Sequence, residues 1–185
     1  MGKRIIQRAR GHGSLTYRTK KKAFKILLSY PRKEGKASVI RLINTLHSAP
    51  IAKIKLDNEI FYNVATENLY EGQNIEIGKN AGIISGNILP LSLIPVGTEI
   101  CNIETLVGAG GKLVRTSGVS AKIIKKENNK ITVQLPSKKE KIFSSEIRAT
   151  VGVVAAGGRL EKPLVKAGKM FHMAKARGGS IYPRT

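Results

Sequence analysis

Positive charge is concentrated at the two ends of this chain, and that segregation limits what it can fold into. Residues 1–36 hold 12 Lys and Arg against a single acid, Glu34. Residues 37–98 hold 4 against 5, residues 99–150 hold 10 against 5, and residues 151–185 hold 7 against 1. A core needs stretches where like charges are sparse, so the fold belongs to the middle and the ends need a polyanion. For a net charge of +21 on 185 residues, nucleic acid is the default partner. An anionic membrane surface is the lesser alternative, because no basic segment carries a clean apolar stripe. No apolar run reaches the ~18 residues of a membrane span. Met1-Gly2-Lys3-Arg4 opens neither a secretory signal nor, with Ile6 where Ser or Thr is needed, a myristoylation signal. Cys101 is the one cysteine, which excludes an intrachain disulfide and a thiol-rich zinc site and fits a reducing, cytosolic compartment.

The first 36 residues read as a basic arm that orders on its partner, with one short apolar cluster at Phe24, Ile26, Leu27 and Leu28. The competing reading is a solvated tail without specific contacts. The middle reads as β. Ala52, Ile54 and Leu56 alternate with Lys53, Lys55 and Asp57, the chain turns at Asp57-Asn58-Glu59, and Ile60 to Ala65 returns. Ile75 and Ile77 mark another strand. Residues 38–46 are ambiguous: Val39, Leu42, Ile43 and Leu46 have helical spacing, yet the stretch begins β-branched.

A second β block follows. Ile100 to Glu104 is a short strand, Val119 to Ile124 and Ile131 to Leu135 flank a polar hairpin tip, and Arg148 to Val154 is the last strand. Short strands at such spacing predict small barrels. Gly86 to Gly97, with Pro90 and Pro95, reads as the linker between them. Residues 157–185 lose periodicity and read as a second basic arm.

Tests for chemistry fail. Gly108-Ala109-Gly110-Gly111-Lys112 is no phosphate loop, because Leu106 and Leu113 stand where Gly and Ser or Thr are required. His12, His47 and His172 lack metal-ligand spacing. Carboxylates are unpaired, and Thr116-Ser117-Gly118 is no nucleophile elbow. Cys101 lies in an apolar strand and reads as buried and inert. The residues support no enzyme and no cofactor. Five Tyr, four Phe and no Trp give a thin supply of stacking platforms. Abundant Arg, Lys and Gly suit folded RNA, recognised through phosphates, 2′-hydroxyls and shape.

Several stretches in order carry a resemblance. They are MGKRI and RARGHG at the start, SAPIA at Ser48 to Ala52, and GNILPL at Gly86 to Leu91. Then come IPVGTEICNIE at Ile94 to Glu104, GAGGKLVRTSG at Gly108 to Gly118, RATVGVVAAGGR at Arg148 to Arg159 and KPLVKAG at Lys162 to Gly168. The chain resembles the large-subunit ribosomal protein L-two family, in its archaeal and eukaryotic branch. The resemblance implies a mainly β fold: an OB-type barrel over residues 37–92, then an SH3-like barrel over 93–158. Basic extended arms are expected at 1–36 and 159–185. It also implies a strand at 38–46.

The function so implied is a structural constituent of the large ribosomal subunit. It binds 23S-type rRNA, supports subunit assembly and association, and lies near the peptidyl transferase centre. Neighbouring ribosomal proteins are the other partners, in the cytoplasm. The competing reading is a non-ribosomal nucleic-acid-binding protein.

Expected RNA contacts in the first arm are Lys3, Arg4, Arg8, Arg10, Arg18, Lys20, Lys21, Lys22 and Arg32. By motif, Arg115 matches the arginine of the second barrel's glycine-rich loop. Arg148, Arg159, Lys162 and Lys166 match the basic positions after it. Lys169, Lys175, Arg177 and Arg184 complete the second arm. The competing reading makes Arg148 a strand-end arginine paired with Glu146 or a neighbour. His47 stands where the family usually has a basic residue, which predicts a weaker contact. The sequence stops at Pro183-Arg184-Thr185, before the family's DHP and glycine-rich loop. The expectation is that this chain does not supply the histidine that the family places near the reaction centre. Three alternatives stand for that segment: the product is truncated, a separate chain supplies the remainder as a further partner, or the loop is dispensable here.

Overall fold

In a computed structural model, the structure describes residues 6–13, 26–44, 49–159 and 161–176. Helix α1 spans Ile6–Gly11. The first β block holds β1 (Gly35–Ile43), β2 (Ile51–Leu56), β3 (Glu59–Val64), β4 (Asn74–Ile77) and β5 (Ile88–Pro90). The second holds β6 (Glu99–Cys101), β7 (Ile103–Glu104), β8 (Gly111–Leu113), β9 (Ala121–Glu127), β10 (Lys130–Gln134), β11 (Glu140–Ser144) and β12 (Arg148–Val151). A 3-10 turn at Gly157–Arg159 and helix α2 (Ala167–Ala176) follow. Among the described residues no helix is long and apolar enough to cross a membrane.

The strands join in one ten-stranded sheet of order β11-β10-β9-β6-β12-β5-β4-β1-β2-β3, beside a β7–β8 pair. Neighbours are antiparallel except β4 and β5. Two-residue turns close both expected hairpins. Asp57 at φ 49° and Asn128 at φ 44° take the left-handed conformation that such turns require and that Asp and Asn tolerate.

Two apolar cores divide the molecule. One is built on Val39, Ile54, Leu56, Phe61, Ile75 and Ile88. The other is built on Leu89, Leu91, Ile94, Ile100, Ile123, Ile131, Val133 and Phe143. A small third cluster of Ala49, Val64, Cys101 and Val154 lies between elements of both blocks.

Four expectations need correction. Gly86 to Gly97 is not a linker: Ile88, Leu89, Leu91 and Ile94 are fully buried, and β5 carries the sheet from one core to the other. Pro90 is tolerated there because its neighbours Leu91 and Ser92 donate to Ile147 and Ser145 in its place. Residues 100–104 are not one strand, because Asn102 at φ 48° breaks them into β6 and β7. The ends are not wholly extended. Helix α2 forms over AGKMFHMAKA, rich in good helix formers, and α1 over IQRARG. Finally, the stretch expected as a free arm to residue 36 reaches into the body: Tyr30 is buried in the first core and β1 begins at Gly35.

Residues 38–43 are strand, as the resemblance implied, and the helical spacing has a physical cause. A bulge between Val39 and Arg41 shifts the register of β1 on β2. The inward positions become Ala37, Val39 and Leu42, a step of two and then of three. One extra residue in a strand thus imitates a helical period. Thr45 to Ser48 lie outside the described residues.

Candidate nucleic-acid interface

A closed circuit of buried polar groups sits where the two blocks meet. The Tyr30 hydroxyl donates to the backbone carbonyl of Asn102 at 2.5 Å. It can donate only once, so the Thr150 hydroxyl donates to Tyr30, at 2.8 Å. Thr150 Oγ1 in turn accepts from Asn63 Nδ2 at 3.1 Å. Asn102 Nδ2 donates to Asn63 Oδ1 at 2.6 Å. Arg115 Nε then donates to Asn102 Oδ1 at 2.9 Å. Tyr30, Asn63, Asn102 and Thr150 are all buried, so each unmade bond here would carry a full desolvation cost. The donors fix both amide orientations, because Arg115 Nε and the Val64 amide, which bonds Asn63 Oδ1, can only donate.

The circuit positions Arg115. Val114, just before it, holds φ 57°, a conformation a β-branched residue rarely adopts. Its carbonyl accepts from the Asn102 amide at 2.9 Å, which helps to hold that geometry. The Arg115 side chain is half-buried, and its desolvation lowers the pKa while the Tyr30 oxygen opposes the shift. It remains a cation, since arginine starts above 12. With Nε held, its two terminal nitrogens have no partner among the described residues. That open fork matches a phosphate.

Arg148 occupies a different place. It forms a fork with the fully buried Glu104: Nη2 to Oε1 at 2.9 Å and Nε to Oε2 at 3.3 Å. Nη1 donates to the Pro31 carbonyl at 2.6 Å, and the guanidinium lies 5.4 Å from the Tyr30 ring centroid. Arg148 is a structural pin: its side chain is 17% exposed and its donors are engaged within the fold. The partner is Glu104, not Glu146.

The glycine-rich loop serves the same pin. Gly110 donates its amide to Glu104 Oε1 at 3.1 Å. A Cβ at Gly110 would lie 3.3 Å from Ser29 Cα, so the loop packs directly on the chain entering from the N-terminus. The loop cradles an anion, but it is the protein's own carboxylate.

The other expected contacts lie on separate elements or outside the described residues. Arg8 and Arg10 are exposed on α1, Arg32 is exposed next to Pro31, and Arg159 is half-buried in the 3-10 turn. Lys162, Lys166 and Lys169 are exposed near and on α2, and Lys175 lies in that helix. Lys3, Arg4, Arg18, Lys20, Lys21, Lys22, His47, Arg177 and Arg184 lie outside the described residues. Sequence reasoning missed Tyr30, Asn63, Asn102, Glu104 and Thr150. The available signal was polar side chains inside otherwise apolar strands. Cys101 is buried as expected, and burial pushes its thiol up to about 12. No group of metal-binding side chains occurs among the described residues.

Comparison with known proteins adds the family. The family described as "Ribosomal Proteins L2, C-terminal domain" matches residues 84–184. The "Large ribosomal subunit protein uL2" of Korarchaeum cryptofilum is 43% identical over 180 residues, 93% of this chain and 73% of that protein. The uL2 proteins of Methanospirillum hungatei and Archaeoglobus fulgidus are each 41% identical over 189 residues, all of this chain and 80% and 79% of theirs. The ordered motifs, the two-core β fold and identity along the whole length agree: the chain belongs to the ribosomal protein L2 family.

Proposed function

We propose that this chain is a structural constituent of the large ribosomal subunit that binds its rRNA at the junction between the two cores. The observation that carries the reading is Arg115, held by one nitrogen with its fork open beside a buried network. The first core is read as the OB-type barrel and the second as the SH3-like barrel. The basic termini thread between RNA helices and neutralise phosphates where RNA packs on RNA. The chain supports assembly and subunit association in the cytoplasm. It sits near the peptidyl transferase centre, and it performs no catalysis. Neutralising ~10 phosphates makes affinity fall steeply with salt, through release of counterions.

Purification from the native cell at low salt, with sequencing of bound RNA and mass spectrometry of companion chains, tests this. Large-subunit rRNA with ribosomal proteins supports it. The same spectra report whether a separate chain carries the family's C-terminal loop. Preference for duplex DNA, without ribosomal companions, would favour a non-ribosomal nucleic-acid binder instead.

A further inference from the structure

A second cationic surface lies on the outer face of the first β block, away from Arg115. The registers of β1 on β2 and of β2 on β3 place Arg41 opposite Lys53 and Lys53 opposite Tyr62. The next row sets Ser38 opposite Lys55 and Lys55 opposite Ile60. Their neighbours Ala52, Ile54, Phe61 and Asn63 are buried, so alternation turns Lys53, Lys55, Ile60 and Tyr62 to the outside.

Like charges placed directly opposite on neighbouring strands weaken a sheet. Arg41 and Lys53 do this with no ion-pair partner among the described residues. Of the acids nearby, Glu71 accepts from the amide of Leu42, next to Arg41, without forming an ion pair with it, and Glu59 pairs with Lys33. The repulsion is relieved when an anion lies across the row. The third member of that row is an aromatic ring, half-exposed, on β3, the last strand in the sheet order, whose Tyr62 carbonyl accepts from the Ser29 amide at 3.3 Å. Two cations and a ring in line match a phosphate backbone with one base turned toward the protein.

We propose that the row Arg41–Lys53–Tyr62 is a second RNA contact, which takes an unpaired nucleotide of the rRNA with its base on Tyr62 and its phosphates on Arg41 and Lys53. The bulge in β1 aligns the row, because it brings Arg41 rather than Ile40 opposite Lys53. The inference rests on the RNA-binding reading above but not on Arg115.

The test uses the full chain and a large-subunit rRNA transcript, with the variants Tyr62→Leu, Tyr62→Phe, Arg41→Gln and Arg115→Ala. Tyr62→Leu weakens binding roughly tenfold or more, whereas Tyr62→Phe keeps the ring and the affinity. Arg41→Gln weakens binding and flattens the salt dependence by about one ion. Without RNA, the same variant melts higher than the parent, since it removes the repulsion. Ultraviolet crosslinking attaches nucleotides to the peptide that holds Tyr62. If the Tyr62 and Arg41 variants bind like the parent while Arg115→Ala is weakened, the second contact is wrong and the first stands. Crosslinks from Lys53 and Lys55 to an acidic protein, in place of RNA, also overturn it. If the parent itself does not bind the transcript, both readings fall.

Discussion

Glu104 and Arg148 form a two-pronged ion pair, at 2.9 and 3.3 Å, inside the protein. Glu104 ends the short strand β7, and Arg148 begins β12, a central strand of the large sheet. Removing one partner strands a buried charge. Glu104→Ala or Arg148→Met alone is expected to cost roughly 3–5 kcal/mol. Replacing both, as Glu104→Leu with Arg148→Met, leaves no charge behind and costs much less. Urea unfolding of the three variants checks this. Equal losses in single and double variants would show that the pair acts through packing instead.

Gly118→Ala is expected to destabilise by about 2 kcal/mol, through a clash and a strained backbone. Gly118 sits at φ 70°, and an added Cβ would meet Gly157 Cα at 2.3 Å. Thermal melting measures the loss. The contact joins the loop after β8 to the 3-10 turn, so the variant should also loosen residues 157–159 in hydrogen exchange.

Arg115→Ala should weaken rRNA binding, flatten the salt dependence by about one ion and leave the β fold intact. Asn102→Ala frees Arg115 Nε and should weaken binding too. In a double-mutant cycle the two losses should not add, because both act on one fork. Filter binding across a salt series reads all three proteins. Additive losses would separate Asn102 from the RNA contact.

Alkaline pH should unfold the protein early. Burial is the first cause of the raised pKa at both Cys101 and Tyr30. Folding thus favours their neutral forms. Their contribution is complete below the unfolded values, near 9.0 and 10.0, and is lost as pH rises toward the folded ones. The melting temperature should therefore hold to about pH 9 and then fall. Tyr30→Phe should melt lower at neutral pH, since it breaks the circuit, yet lose less on going alkaline. In the native state Cys101 should resist thiol reagents near neutral pH and react once the chain unfolds.

Much of the fold was legible because alternation in β2, β3, β9 and β10 follows the period of a sheet with one face covered. The misreadings share a cause, which is that local pattern does not reveal partners. A bulge gave β1 helical spacing. Two prolines suggested a linker at β5, although its apolar residues fill the joint between cores. Asn102 looked like one residue of a strand, yet its left-handed backbone divides that strand and its side chain holds Arg115. Basic residues pointed readily to a polyanion as the expected partner. Nothing in local sequence separated Arg148, committed to Glu104, from Arg115, whose fork is open.

Strand β12 lies between β5 and β6, yet it comes last in sequence among the described strands. A ribosome making this protein therefore releases both halves of the sheet before the strand that closes them. Until Thr150 emerges, Tyr30 lacks the partner that completes its circuit, and until Arg148 emerges, Glu104 has no counter-charge. The basic leading segment thus spends most of synthesis attached to an unclosed body. Long-range closure of this kind is slow. The junction that holds Arg115 is therefore completed only after β12 has left the ribosome.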